Sequence, residues 1–504
     1  MDRLPSSAVS PQPLSQTGIV GLDDVLKGGL PRGSIYLVKG NPGVGKTTLA
    51  LQFVLAGVKA GETSLYITLS ETQTELREVA RSHGWSLDGV SLFELKAHDD
   101  GGKESDYTMY HPSEVELREA MAALLAEVER VKPARVVFDS LSEIRLLAQE
   151  PLRYRRQVLA MKRHFAGKNC TVLLLDDHSA EIDNHLESLA HGVISLERHA
   201  PVYGGSRRRL EVVKLRGVHF RDGFHDFTIE HDGIAVYPRL VAADHKPTFE
   251  HASLASGVAE LDALLGGGLD HGTATLLIGP AGSGKSALSS QYAVAAAKSG
   301  HRAVIFTFDE STETALTRGE SLGLPLRELV AAGTLRITQV DPAEMSPGQF
   351  AHEVRLAVER DSARIIVIDS LTGYMNSMPE EQFLLNQLHE LLTFLGQNGI
   401  VTVLIATQHG LIGSAMSAVV DVSYLADSVV LLRYFEAAGS VRNAISVVKK
   451  RTGHHEKTLR EYKLGPGGVH IGAPLREFQG VLSGTPTYLG TAAPLLGEDG
   501  AKAD

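Results

Sequence analysis

The stretch Gly40, Asn41, Pro42, Gly43, Val44, Gly45, Lys46, Thr47 and Thr48 fits the G-x-x-x-x-G-K-[ST] spacing of a phosphate cradle. In that chemistry glycines let backbone N–H groups wrap a β-phosphate. The lysine reaches the β and γ oxygens, and the Thr47 hydroxyl ligates Mg²⁺. A second copy, Gly279, Pro280, Ala281, Gly282, Ser283, Gly284, Lys285, Ser286 and Ala287, puts a lysine and the Ser286 hydroxyl at the same spacing. Two independent accidents of this kind are improbable, so ATP with Mg²⁺ is the expected ligand.

Transfer of a γ-phosphoryl group needs a placed metal, neutralised charge and an oriented nucleophile. ARVVFDSL ends an apolar run on Asp139 and ARIIVIDSL on Asp369, positions suited to holding the Mg²⁺ shell directly or through water. A carboxylate near the γ-phosphate is offered by Glu71 in LSET and by Asp309 and Glu310 in FDES. Glu71 and Glu310 are the leading catalytic candidates; the plainer alternative is an acid favoured by a helix N-terminal dipole. Late in each half come Lys214 and Arg216 in RRRLEVVKLRG, then Lys449, Lys450 and Arg451 in NAISVVKKRTG. These read equally well as an edge strand defended by charge or as a finger on a neighbouring subunit's γ-phosphate.

Elements of the right type flank each loop. The apolar run SIYLVKG enters the first, and TTLALQFVLAGVKAG leaves it with apolar residues at helical spacing. The chain is also a repeat: Thr17 to Phe53 aligns without a gap on Ser256 to Tyr292, with 15 identities over 37 positions and an offset of 239 residues. Strand-like runs in the first half are SIYLVKG, SLYITLSE, ARVVFDS, TVLLLDD and HGVISLE. In the second they are TATLLIG, AVIFTFDE, ARIIVIDS, VTVLIATQ and DSVVLLR. Their alternation with helix-like segments predicts α/β domains with mostly parallel sheets. The expected division is 15–240 and 254–485, a linker over 241–253, and flexible ends at 1–14 and 486–504.

At 504 residues two or three domains are expected. A net charge of −11 argues against nucleic acid as an obligatory partner. The single cysteine, Cys170, excludes an intramolecular disulfide framework and reads as a small buried apolar residue. With no apolar signal region or membrane-length run, a soluble cytoplasmic protein is expected.

Taken together, the two phosphate loops, the acidic stretches, the DSL aspartates and the K-x-R strands resemble the KaiC family of clock ATPases and autokinases. The resemblance covers roughly residues 15 to 485. It includes TGIVGLDDVLKGGLPRGSIYLVKGNPGVGKT, KLRG from Lys214, and REFQGVLSGTPT from Arg476. It implies two tandem RecA-like P-loop NTPase domains, a homohexamer of stacked rings, and ATP between neighbouring subunits. Lys214, Arg216, Lys449 and Arg451 would then act in trans, the first ring hydrolysing ATP slowly and the second phosphorylating hydroxyls.

Departures from the family pattern bear on activity. Ser70 replaces the first of two adjacent glutamates, and Asp309 is an acid one methylene shorter than usual. In DVSYLADSVVLL, Ser423 fits the phosphoacceptor serine while Tyr424 takes the neighbouring threonine's place. A two-site serine-threonine cycle is therefore not expected; phosphorylation at Ser423 alone and an ordinary polar residue are both open readings. The connection DDHSAEIDNHLESLAHG is shorter than the family's, which counts against a KaiB-like partner. A DNA-directed RecA-like motor and an ATP-gated scaffold with little turnover are the competing functions.

Overall fold

The computed structural model describes residues 13–95, 112–177, 183–200, 204–242, 249, 252–375, 381–409, 417–418, 423–437, 439–482 and 487–489. The chain divides into two compact units, Met1–Arg239 and Leu240–Asp504. Nearly all of both expected flexible ends, and most of the expected linker, lie outside the described residues.

Unit one is built on nine strands: β1 (Ile35–Gly40), β2 (Ser64–Thr68), β3 (Val90–Glu94), β4 (Arg135–Asp139), β5 (Thr171–Asp176), β6 (Gly192–His199), β7 (Arg207–Leu215), β8 (Phe224–Glu230) and β9 (Gly233–Tyr237). They pair in the order β9-β8-β7-β6-β1-β5-β4-β2-β3. From β6 through β3 the pairing is parallel; β6 through β9 form antiparallel neighbours.

Unit two repeats the plan with β10 (Ala274–Gly279), β11 (Arg302–Thr307), β12 (Leu335–Gln339), β13 (Ala363–Asp369), β14 (Val401–His409), β15 (Ser428–Ala437), β16 (Ser440–Lys450), β17 (Arg460–Gly465) and β18 (Gly468–Pro474). Its order, β18-β17-β16-β15-β10-β14-β13-β11-β12, is that of unit one strand for strand, with a two-residue strand Ser417–Ala418 added beside β14. Two tandem RecA-like domains with mostly parallel sheets are thus the fold.

Strands buried on both faces read as continuous apolar runs, because helices cover a parallel sheet on each side. Alternate residues accordingly enter different cores. Tyr36, Val38, Tyr66, Val137 and Leu173 pack on one face of unit one, while Ile35, Leu37, Ile67, Phe138 and Leu174 pack on the other. In unit two, Leu276, Phe306 and Ile368 face one core and Leu277, Ile305 and Val367 the other. Each large side chain so buried contributes about 1.5–3 kcal/mol. No helix among the described residues is long and apolar enough to cross a membrane.

The edge reading of the basic strands holds only in part. The basic strands β7 and β16 are not sheet edges: β7 lies between β6 and β8, and β16 between β15 and β17. The pairing with β8 or β17 reaches only residues 208–211 of β7 and 443–445 of β16. Lys214, Lys449 and Lys450 lie beyond it and pair through β6 or β15 alone.

Candidate functional site

β1 delivers the chain to the first loop, and the helix α1 (Lys46–Lys59) carries it away. The N-cap is Gly45, at φ 116° and without a side-chain cap, so the first N–H groups of α1 are available to an anion. In unit two the helix α2 (Lys285–Lys298) starts likewise after Gly284 at φ 88°. The positive φ at Gly45 and Gly284 is a conformation that a side chain would strain, and a Cβ would also lie 2.7 Å from Ile229 Cδ1 or Leu464 Cδ1, which would have to shift.

The loop lysines sit at the mouths of these cradles. Lys46 Nζ donates to the carbonyls of Gly40 (2.7 Å) and Asn41 (3.3 Å) and pairs with Asp177 Oδ1 at 2.8 Å. Lys285 Nζ donates to the carbonyls of Gly279 (2.9 Å) and Pro280 (2.7 Å). Burial lowers the Lys285 pKa to about 8, against the opposing pull of Asp369. By strand register, Thr407 occupies in unit two the place of Asp177.

Behind each loop lies the strand-end aspartate. The Thr47 hydroxyl donates to Asp139 Oδ2 at 2.9 Å, and the Tyr66 hydroxyl donates to the same oxygen at 2.5 Å. Burial raises the Asp139 pKa, while the bonds from Tyr66 and Thr47 and the charge of Lys46 oppose it. Asp369 accepts a bond from Ser286; its pKa too is raised, chiefly by burial, with Glu310 and Asp309 adding to it. A hydroxyl beside a buried carboxylate is an all-oxygen donor pair of the kind that suits Mg²⁺. The described residues hold no cluster of three acidic, His or Cys ligands. A metal here would therefore complete its shell with phosphate and water, as Mg²⁺ usually does.

Glu71 follows β2 and is half-buried. Its backbone is fixed by Thr68, whose hydroxyl accepts from the Glu71 N–H (3.1 Å) and donates to its carbonyl (2.6 Å). Oε2 is buried with no hydrogen-bond partner. Burial raises the Glu71 pKa, with smaller contributions from the charges of Asp139 and Glu75. Thr72 caps Gln73–Ser82 in a reciprocal box with Glu75, so Glu71 immediately precedes the helix without taking part in the cap. In unit two Ser311 caps the matching helix. Glu310 instead pairs with Arg318, whose Nη1 lies 2.5 Å from both Oε1 and Oε2. Asp309 is exposed and accepts a bond from Ser370 Oγ.

The K-x-R residues hold a different part of the fold. Lys214 Nζ donates to the Glu187 carbonyl, and Arg216 Nη2 to that of Ser188 at 3.0 Å. In unit two Lys449 Nζ donates to the carbonyls of Ser423 (2.8 Å) and Ala426 (2.7 Å), and Arg451 Nη2 to that of Tyr424 (2.9 Å). Both pairs thus grip the connection that precedes β6 or β15. Ser423 is half-buried and Tyr424 is 55% exposed. Cys170 is buried at 4% exposure, and burial pushes its thiol up to about 12.

Four participants escaped the sequence reading: Asp177, Tyr66, Arg318 and Ser370. The twin aspartates closing TVLLLDD were the one local signal, since a charge there sits at the ligand end of a parallel strand.

The family profile described as the KaiC ATPase matches residues 15–241 and again 254–476. The chain is 26% identical over 481 residues to a circadian clock protein KaiC3 of Synechocystis, covering 94% of each chain. It is 28% identical over 511 residues to a circadian clock oscillator protein KaiC of Thermostichus vulcanus, covering 97% of this chain and 96% of that one. A KaiC of Acaryochloris marina is 28% identical over 485 residues, with 94% and 91% covered. With a matching profile on each unit and the same cradle built twice, the chain belongs to the KaiC family of ATPases.

Proposed function

We propose that this protein binds ATP with Mg²⁺ at both phosphate loops and hydrolyses it, with unit one as the principal hydrolytic site. The observation that carries this reading is the convergence of Lys46, the Thr47–Asp139 pair and the unpartnered, half-buried Glu71 at one end of the sheet. Lys46 and the N-terminus of α1 would hold the triphosphate, Thr47 and Asp139 would hold the Mg²⁺ shell, and Glu71 would orient water. A raised proton affinity suits a group that must accept a water proton near neutral pH.

The finer reading is a homohexamer with ATP between subunits. There Lys214 and Arg216, and Lys449 and Arg451, would leave the carbonyls they hold and reach the neighbour's γ-phosphate. Unit two would transfer phosphate to the Ser423 hydroxyl, with Asp309 accepting the proton. A role in signalling or timing is consistent with the names of the relatives.

Purified protein incubated with γ-labelled ATP and Mg²⁺ tests this, following label in free phosphate and in protein beside Glu71→Gln, Glu310→Gln and Ser423→Ala. Free phosphate lost in Glu71→Gln supports the hydrolytic assignment. Label in protein that is lost in Ser423→Ala supports the transfer. ATP-driven hexamers with no phosphate release would leave a nucleotide-gated scaffold.

A further inference from the structure

We propose that Arg318 is a positioning residue that holds Glu310 away from water, slowing hydrolysis in unit two so that ATP there persists for transfer to a hydroxyl. The inference rests on the ATPase reading above.

Glu71 and Glu310 occupy equivalent positions, one repeat offset apart, just after β2 and β11. Eight residues further on, along the helix that follows, the two units differ. Unit one has Val79, which packs partly buried against the core. Unit two has Arg318, with Nη1 on both Glu310 oxygens. These two side chains are only 27% and 20% exposed, so solvent screens the pair incompletely.

A carboxylate that activates water must aim an oxygen lone pair at it within hydrogen-bond reach. With both Glu310 oxygens drawn to one guanidinium nitrogen, swinging the carboxylate toward water works against a charge-assisted bond. Glu71 meets no such obstacle, because its Oε2 has no partner.

The chemistry gives the restraint a purpose. In hydrolysis a water oxygen bonds the γ-phosphorus, the P–O bond to the bridging oxygen breaks, ADP leaves, and a water proton passes to the carboxylate or the phosphate. Transfer to protein breaks the same bond with a side-chain hydroxyl as nucleophile. Water and hydroxyl therefore compete for one phosphoryl group, and disabling the acid that serves water favours the hydroxyl. Asp309 is held separately, by Ser370.

Reciprocal exchanges in the full chain test the idea. Arg318→Val is made beside Lys46→Ala, which silences unit one, and Val79→Arg beside Lys285→Ala, which silences unit two. Phosphate release and protein labelling are followed at saturating ATP and Mg²⁺. Arg318→Val should raise kcat for release by about tenfold, leave the KM for ATP within about twofold, and reduce labelling of protein. Arg318→Lys should restore the slow rate, and Val79→Arg should slow unit one. Binding of a fluorescent ATP analogue establishes folding; should Arg318→Val lose it, Arg318→Gln carries the test. Release from Arg318→Val that is unchanged or slower overturns the proposal. So does a change confined to the Mg²⁺ dependence, which would make Arg318 a support for Asp369 instead. No phosphate from either unit of the unaltered chain defeats the ATPase reading itself.

Discussion

Replacing Asp177 by asparagine should tighten ATP binding at unit one. The carboxylate pairs with Lys46 Nζ at 2.8 Å, occupying the lysine that a γ-phosphate needs. Two unit charges at that separation attract with about 6 kcal/mol at an effective dielectric of about 20, and about 1.5 kcal/mol in water. The Asp177 side chain is 39% exposed, so screening brings the net value near 1 kcal/mol. Removing a competitor of that strength should improve the Kd for ATP about fivefold.

The assay is titration with a fluorescent ATP analogue in a Lys285→Ala chain, so that unit one alone reports. The gain should shrink in high salt, because the pair is partly screened. Burial pushes the Asp177 pKa up, but the bonds from Lys46 and Ser142 outweigh it and hold it below its ordinary value. The stability that the pair gives the nucleotide-free unit is thus present above the usual carboxylate range and lost as pH falls through the lowered pKa. Unchanged or weaker affinity in Asp177→Asn refutes the reasoning, and would make Asp177 part of the bound state.

Glu71→Gln should cut unit-one phosphate release by about 10²–10⁴ while leaving ATP affinity intact, as separate rate and binding measurements would reveal. The Lys285 pKa of about 8 lies below the ordinary lysine value, so the nucleotide-free loop loses its charge as pH rises through 8. ATP affinity at unit two, measured in a Lys46→Ala chain, should therefore fall between about pH 7 and 9. Arg135 is 2% exposed, pairs with Glu62, and donates to the carbonyls of Gln16 (2.6 Å) and Phe53 (2.9 Å). Its replacement by alanine should destabilise unit one by about 3–5 kcal/mol in denaturant unfolding, and a loss below about 1 kcal/mol would contradict that account.

The strands that carry the loops and the strand-end aspartates were legible because parallel strands buried on both faces announce themselves as unbroken apolar runs. β3 and β12 were not, since they are outermost in their sheets and only partly buried. β8 was hidden by polarity: His225 and Asp226 are buried in mid-strand, and His225 bonds the Arg221 carbonyl and the Arg239 N–H. The site divides the same way. Lys46, Thr47 and their counterparts follow from spacing along the chain. Asp177 meets Lys46 across 131 residues and Tyr66 meets Asp139 across 73, contacts that only the packed sheet creates. The edge reading of β7 and β16 was only partly right, because sequence does not show that β8 and β17 pair with one stretch of each strand, residues 208–211 and 443–445.

The repeat also separates what the fold requires from what a site requires. Arg135 and its partner Glu62 correspond to Ile365 and His301, and the hydroxyl of Tyr66 to the side chain of Ile305. Unit two nevertheless forms the same sheet in the same strand order. A buried ion pair and a phenol on the strand-end aspartate are therefore dispensable to the architecture. The contacts that distinguish the loops, Lys46 with Asp177 and Glu310 with Arg318, are likewise each made in one unit only. One unit restrains the lysine and leaves the glutamate unpartnered; the other restrains the glutamate and leaves the lysine on loop carbonyls alone. Since the shared fold demands neither restraint, each can act on its own step. On the proposed reading the first would raise the cost of admitting ATP, and the second would slow what water can do once ATP is in place.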